Sequence, residues 1–126
     1  MTHRGRVLLL EDDHALRGLL QEALTIEGFD VIACESFQQI RDAAQKHEAD
    51  IVVADFWGGS QRTLPDNERQ EIRQLGSFLP VVLLTGRSWA ADITASELGA
   101  RAVIRKPFDL DHLLLAVDTA LGSRQP

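Results

Sequence analysis

The chain has 126 residues, of which 44% are apolar and 25% charged, and its formal net charge is −6 at pH 7. That is the length of one domain with a real core, and the acidic balance argues against direct nucleic-acid binding. No apolar run is long enough to span a bilayer, "MTHRGR" leads into no signal-peptide core, and the one cysteine, Cys34, excludes an internal disulfide, so the expectation is a cytoplasmic protein without a membrane partner.

In chain order, short apolar β-type runs alternate with segments of helical period. "RVLLL" (6–10) is followed by a stripe of Leu16, Leu19, Leu20, Ala23 and Leu24 in a helix over 14–27. Asp13 is placed to cap this helix and Gly28 to end it. "FDVIAC" (29–34) precedes a helix over 36–47, with Cys34 read as a small buried apolar residue at the strand end. "DIVVAD" (50–55) leads through a glycine pair, Gly58-Gly59, to a third helix over 66–78. Its stripe of Leu64, Ile72 and Leu75 is thin, which predicts a late or irregular start. "PVVLLT" (80–85) precedes a helix over 88–98, and "RAVI" (101–104) one over 109–121. That last helix opens at Asp109, carries Leu110, Leu113, Leu114, Val117 and Leu121, and closes at Gly122. Five βα units with nearly continuous apolar strands define an α/β protein with a doubly wound five-stranded parallel sheet, covered on both faces.

Ligands of such sheets bind outside the carboxyl ends of the strands. Glu11 and Asp12 follow the first strand, Asp55 ends the third, Thr85 ends the fourth, and Lys106-Pro107 follows the fifth. Three carboxylates, one hydroxyl and one ammonium therefore fall on one edge. Acids in that setting call for a compensating cation, and oxygen donors without a nearby Cys or His pair suit a hard divalent ion, Mg²⁺. Taken one at a time, each residue has a plainer reading: solvated strand-end acids, a Thr with β propensity, a surface Lys beside a turn proline. His3, His14, His47 and His112 show no metal-ligand spacing.

Together, "LLLEDD", Asp55, "LLTG" and "KPF" resemble the receiver domain of two-component response regulators, with 30 residues from Asp55 to Thr85 and 21 more to Lys106. The resemblance spans 1–126 as a single receiver domain, with 123–126 a tail. It implies a flavodoxin-like (βα)5 fold of strand order 2-1-3-4-5. It also implies that Asp55 accepts a phosphoryl group from a sensor histidine kinase or phosphotransfer protein. In the family an Arg often follows the second site acid by five positions; Arg17 stands five after Asp12, so the resemblance implies Glu11 and Asp12 as the metal-site pair and leaves Asp13 to the helix start. Mg²⁺ would be held by Asp12, Asp55 and the backbone carbonyl of Trp57, with Glu11 acting through water. Thr85 and Lys106 would bind the phosphoryl oxygens, and the Lys106-Pro107 bond would be cis.

Departures from the family pattern are equally specific. Gly58-Gly59 stands in a loop that usually carries a Met-Pro pair, and Val103 stands where the switch aromatic usually lies. In the family the positions two residues after the acceptor and the threonine border the path of the hydrolytic water, so Trp57 and Arg87 are expected to slow loss of the phosphoryl group. At 100° per residue, Ala91, Ala95 and Leu98 share one face of the fourth helix. Trp89 and Ile93 then fall on the opposite face. With Leu115 they would line a partner surface of helix four, strand five and helix five, used for docking or a homodimer. Trp89 could instead fold over the site in place of the missing aromatic. Two competing functions remain. One is a pseudo-receiver that keeps the fold as an interaction module without phosphorylation. The other is a small phosphohydrolase with Asp55 as nucleophile, which would want an acid where Trp57 stands.

Overall fold

The computed structural model describes residues 4–11, 13–55, 66–85 and 94–122. Five strands, β1 (Gly5–Glu11), β2 (Phe29–Cys34), β3 (Ile51–Asp55), β4 (Val81–Thr85) and β5 (Ala102–Arg105), form one parallel sheet of order β2-β1-β3-β4-β5. Between and after them run α1 (His14–Ile26), α2 (Phe37–Gln45), α3 (Asp66–Gly76), α4 (Ala95–Leu98) and α5 (Leu110–Gly122). The expected doubly wound fold and strand order are both present.

Alternation along the strands builds two core layers. Leu8, Leu10, Val52, Ala54 and Leu83 point to one face and pack with Ile40, Ile72, Leu75 and Leu98 from α2, α3 and α4. Val7, Leu9, Val53, Val82 and Leu84 point to the other and pack with Leu20, Leu24, Leu113 and Val117 from α1 and α5. Because helices cover both faces, the central strands are continuously apolar over Val7–Leu10, Ile51–Ala54 and Val81–Leu84, as their sequences read.

Local chemistry sets the helix ends. Asp13 is extended (φ −73°, ψ 113°) and its side chain accepts the Leu16 N–H at 3.0 Å. Ser36 does the same for α2, accepting the Gln39 N–H at 3.2 Å. Gly28, at φ 99°, turns the chain after α1 into β2. Helix α3 is regular from Asp66, where Asp66 and Glu68 complement the helix dipole. It begins at the first expected residue, without the late or irregular start its thin stripe suggested, because Ile72 and Leu75 are both buried, and it ends at Gly76 rather than at 78; Leu64 lies outside the described residues.

The fourth helix differs from the expectation of 88–98. Thr94 is extended (φ −86°, ψ 158°), and a capping box with Glu97 starts a single turn, Ala95–Leu98, that ends at Gly99 with φ 74°. A capping box satisfies two backbone donors at once and so fixes a start that apolar periodicity cannot see. The helical phase that set Trp89 and Ile93 opposite Leu98 therefore does not run through Thr94. On α1, Leu19 also departs from its expected place in the core stripe: it is 49% exposed. At 100° per residue it lies about 140° from Leu24, at the rim of the stripe.

Helices α3 and α4 meet backbone to backbone. A Cβ at Gly76 would lie 2.2 Å from the Gly99 carbonyl oxygen, whereas one at Gly18, mid-way along α1, meets nothing within 4 Å. Opposite effects are expected of the same substitution. Gly76→Ala should cost about 1–3 kcal/mol through overpacking, and Gly18→Ala should add about 0.5–1 kcal/mol by removing backbone freedom from a helix. Urea midpoints of the two variants beside the parent check both signs.

Candidate functional site

Parallel strands of similar length deliver their last residues to one edge, and the register makes this concrete. Glu11 on β1 lies directly beside Asp55 on β3. Thr85 ends β4, and Lys106 follows β5 with its backbone N–H donating to the Thr85 carbonyl at 2.7 Å. That bond anchors the root of the lysine to the neighbouring strand, and its side chain turns to the two acids. The Lys106 Nζ donates to Glu11 Oε1 at 2.8 Å and also to Asp55 Oδ2. The Lys106-Pro107 peptide bond is cis.

Burial makes these pairings matter. The Glu11 side chain is 2% exposed, that of Asp55 18% and that of Lys106 24%. Thr85 is buried too. The second Glu11 oxygen, Oε2, accepts the Asp13 N–H at 3.1 Å. Burial by itself would lower the Lys106 pKa; the hydrogen bonds and charges of Asp55 and Glu11 outweigh it and hold the ammonium above its ordinary value. Cys34 shows burial without compensation, which pushes its thiol up.

The structure brings together Glu11, Asp55, Thr85, Lys106 and Pro107. Asp12, Trp57, Arg87, Trp89, Ile93 and the Gly58-Gly59 pair lie outside the described residues. Arg17 is half-buried and its guanidinium meets the His14 Nδ1 at 2.7 Å. Leu115 is 64% exposed. It lines a surface cavity of about 360 Å³ with Arg101, His112 and Thr119, between α5 and β5. Val103 is half-buried and packs on the core layer that holds α4. Among the described residues no group of three His, Cys, Asp or Glu side chains gathers. The two described carboxylates, side by side on adjacent strands with oxygen donors only, fit a hard divalent cation.

Sequence reasoning missed two features. One is an apolar cavity of about 390 Å³ beside the site, lined by Leu16, Leu19, Lys106, Pro107, Phe108 and Leu110. Its signal was Leu19 at the edge of the α1 stripe, together with Phe108 after the proline. The other is the bond from the Asp13 backbone to Glu11, for which no residue pattern is diagnostic.

A doubly wound parallel sheet carrying an acid pair in register and a lysine at its carboxyl edge defines the class: an open α/β domain with a charged site at the strand ends. The model of the response regulator receiver domain matches residues 7–118, and the chain belongs to that family, the receivers of two-component systems. It is 30% identical to the transcriptional regulatory protein GlrR of Escherichia coli, over 100% of this chain and 28% of that one. Against the regulatory protein VirG of Agrobacterium tumefaciens it is 34% identical, over 94% of this chain and 44% of that one. The chain thus spans less than half the length of either regulator. Full-length FixJ from B. japonicum superposes with a TM-score of 0.76 at 26% identity, covering 99% of this chain and 61% of that one.

Removing the lysine should expose what it offsets. Lys106→Met leaves Glu11 and Asp55 facing each other and should lower stability by about 1–3 kcal/mol at neutral pH. A folded-state pKa raised above the unfolded value contributes stability that is complete below the unfolded value, about 10.4 for lysine. That contribution is lost as pH rises through the folded value. The gap between parent and Lys106→Met in urea denaturation should therefore be constant from pH 7 to 9 and shrink above about pH 10.4. A gap that widens there would contradict the pairing.

Proposed function

We propose that this domain is a phospho-accepting signalling switch. Asp55 attacks the phosphorus of a phosphohistidine on a sensor kinase or phosphotransfer protein. The new bond joins an Asp55 carboxylate oxygen to phosphorus, the N–P bond breaks, and the imidazole leaves with its electron pair. The observation that carries this reading is the Lys106 ammonium on Asp55, with Glu11 beside it and the lysine's backbone N–H anchored on the Thr85 carbonyl. Phosphoryl transfer asks for positioning and charge neutralisation more than covalent assistance, and this lysine provides both at one oxygen of Asp55.

Asp12, Asp55 and the Trp57 carbonyl would hold Mg²⁺, with Glu11 reaching it through water; the ion supplies neutralisation of the phosphoryl oxygens that one lysine cannot complete. Lys106 gives those oxygens a point charge, and the Thr85 hydroxyl accepts the position of a hydrogen-bond donor to them. Trp57 and Arg87 set how fast water removes the group. The switch changes partner binding on the face of α4, β5 and α5, where Leu115 is exposed, and a second copy of the chain is one such partner. Val103 argues for a signal carried differently from that of receivers with an aromatic there, since a half-buried valine on the core has no ring to swing. It does not argue for a silent receiver, because the acid–lysine pairing is intact. No helix among the described residues is long and apolar enough to cross a membrane.

Incubation with Mg²⁺ and a small acyl phosphate tests the reading. One stable phosphoryl adduct per chain is expected by mass spectrometry, and none on Asp55→Asn. Absence of any adduct on the parent would favour the interaction module; continuous turnover of the donor would favour a hydrolase. Melting temperature should rise with Mg²⁺ for the parent and rise less for Asp12→Ala, because the ion relieves repulsion among converging carboxylates. An equal rise in both proteins would remove Asp12 from the ligand set.

A further inference from the structure

We infer that Asp13, the third acid of "EDD", is a positioning residue that fixes Lys106 through Glu11. The inference rests on the reading of Asp55 as phospho-acceptor. Its basis is a continuous chain of bonds. The Asp13 side chain accepts the Leu16 N–H at 3.0 Å and the Asp13 carbonyl accepts the Arg17 N–H at 2.8 Å, so both ends of the residue are tied into the first turn of α1. Its backbone N–H, thereby aimed, donates to Glu11 Oε2 at 3.1 Å. The other oxygen of Glu11 accepts Lys106 Nζ at 2.8 Å.

The consequence concerns the state after transfer. While Asp55 is unphosphorylated, Lys106 has two carboxylates to hold it. Once Asp55 carries a phosphoryl group, its paired oxygen is no longer a free carboxylate oxygen, and Glu11 is the partner that stays. A glutamate has three side-chain torsions and reaches the lysine from one end only. With Oε1 on Lys106 and no second anchor, it would sample other rotamers and carry the ammonium with it. The Asp13 N–H closes that freedom. With Oε1 on the lysine and Oε2 on the start of α1, Glu11 acts on the reaction by placing a positive charge, in addition to its reach to Mg²⁺ through water. The cap of α1 and the position of the reacting lysine are one structural unit.

The experiment is a double-mutant cycle on the rate of adduct formation with a small acyl phosphate at saturating Mg²⁺. Asp13→Ala should slow the reaction at least about tenfold, within the ~100-fold range that misplacement by an ångström can cost. Asp13→Asn and Asp13→Ser, which can still cap, should recover near-parent rates. In a Glu11→Ala background, Asp13→Ala should have no further effect, because the link it supports is already cut. Ser36→Ala, which removes the equivalent cap from α2, should leave the rate unchanged and controls for general loosening. Should Asp13→Ala fail to fold, Asp13→Gly, which keeps the helix start but removes the side-chain acceptor of the Leu16 N–H, carries the same expectation. A parent-like rate for Asp13→Ala, full additivity with Glu11→Ala, or equal slowing by Ser36→Ala each overturns the inference while leaving Asp55 as acceptor. A parent protein that forms no adduct overturns both.

Discussion

One ammonium shared by two carboxylates holds the functional edge together. Glu11 and Asp55 sit in register on adjacent parallel strands, where like charges repel in a medium of lower dielectric than water. Lys106 bridges them from the far side of the site. Contrast this with the Arg6–Asp30 pair at 3.0 Å, whose side chains are 43% and 52% exposed; pairs of that kind contribute about 0–1 kcal/mol. The Lys106 cluster is buried enough that losing one partner leaves real desolvation uncompensated. Yet buried ion pairs are frequently no more stable than apolar replacements of the same volume. Stability alone therefore does not account for two acids and a lysine here, whereas the proposed phosphoryl transfer, which moves negative charge, would.

The sheet supplies the precision that this arrangement needs. Val7, Leu9 and Val53 fill one layer while Leu8, Leu10 and Val52 fill the other, so β1 and β3 are gripped on both faces. A slip of one residue in either strand would exchange its two layers and separate Glu11 from Asp55. Register is thus fixed by the core and read out at the edge. The Lys106 N–H on the Thr85 carbonyl extends the same control beyond the end of β5.

Where the sequence was informative, the physics was local or strictly periodic. The continuous apolar runs gave the strands because a parallel sheet buries both faces of each one. Asp13 and Gly28 were legible because a cap and a left-handed turn each need a particular side chain, or none. The convergence of Glu11, Asp55, Thr85 and Lys106 followed from strand polarity alone. What escaped depended on competition between signals. The segment 88–98 carries helical periodicity, but within it "TASE" is also a capping box, and Thr94 resolves the conflict by starting a helix rather than continuing one. Leu19 belongs to an apolar stripe, but its burial depends on whether α5 and the loop after β5 reach it, which no spacing in α1 can reveal. The second anchor of Glu11 is a backbone donor, and every residue except proline carries one.

The far side of the domain constrains how a charge change at the edge can travel. Leu98 is fully buried, the Arg73 guanidinium donates to the Glu97 carbonyl at 2.7 Å, and Gly76 lies against the Gly99 carbonyl with no room for a side chain. A seam with so little slack does not let one helix slide along the other, because packed interiors shift between discrete arrangements rather than deform smoothly. Displacement of the short α4 turn therefore carries the end of α3 with it. Val103, packed into the same layer, adds bulk to that body and offers no independent rotor. On that face α3 and α4 pack as one body, and Thr85, buried at the end of the neighbouring β4, is tied to the lysine by its carbonyl, which accepts the Lys106 N–H.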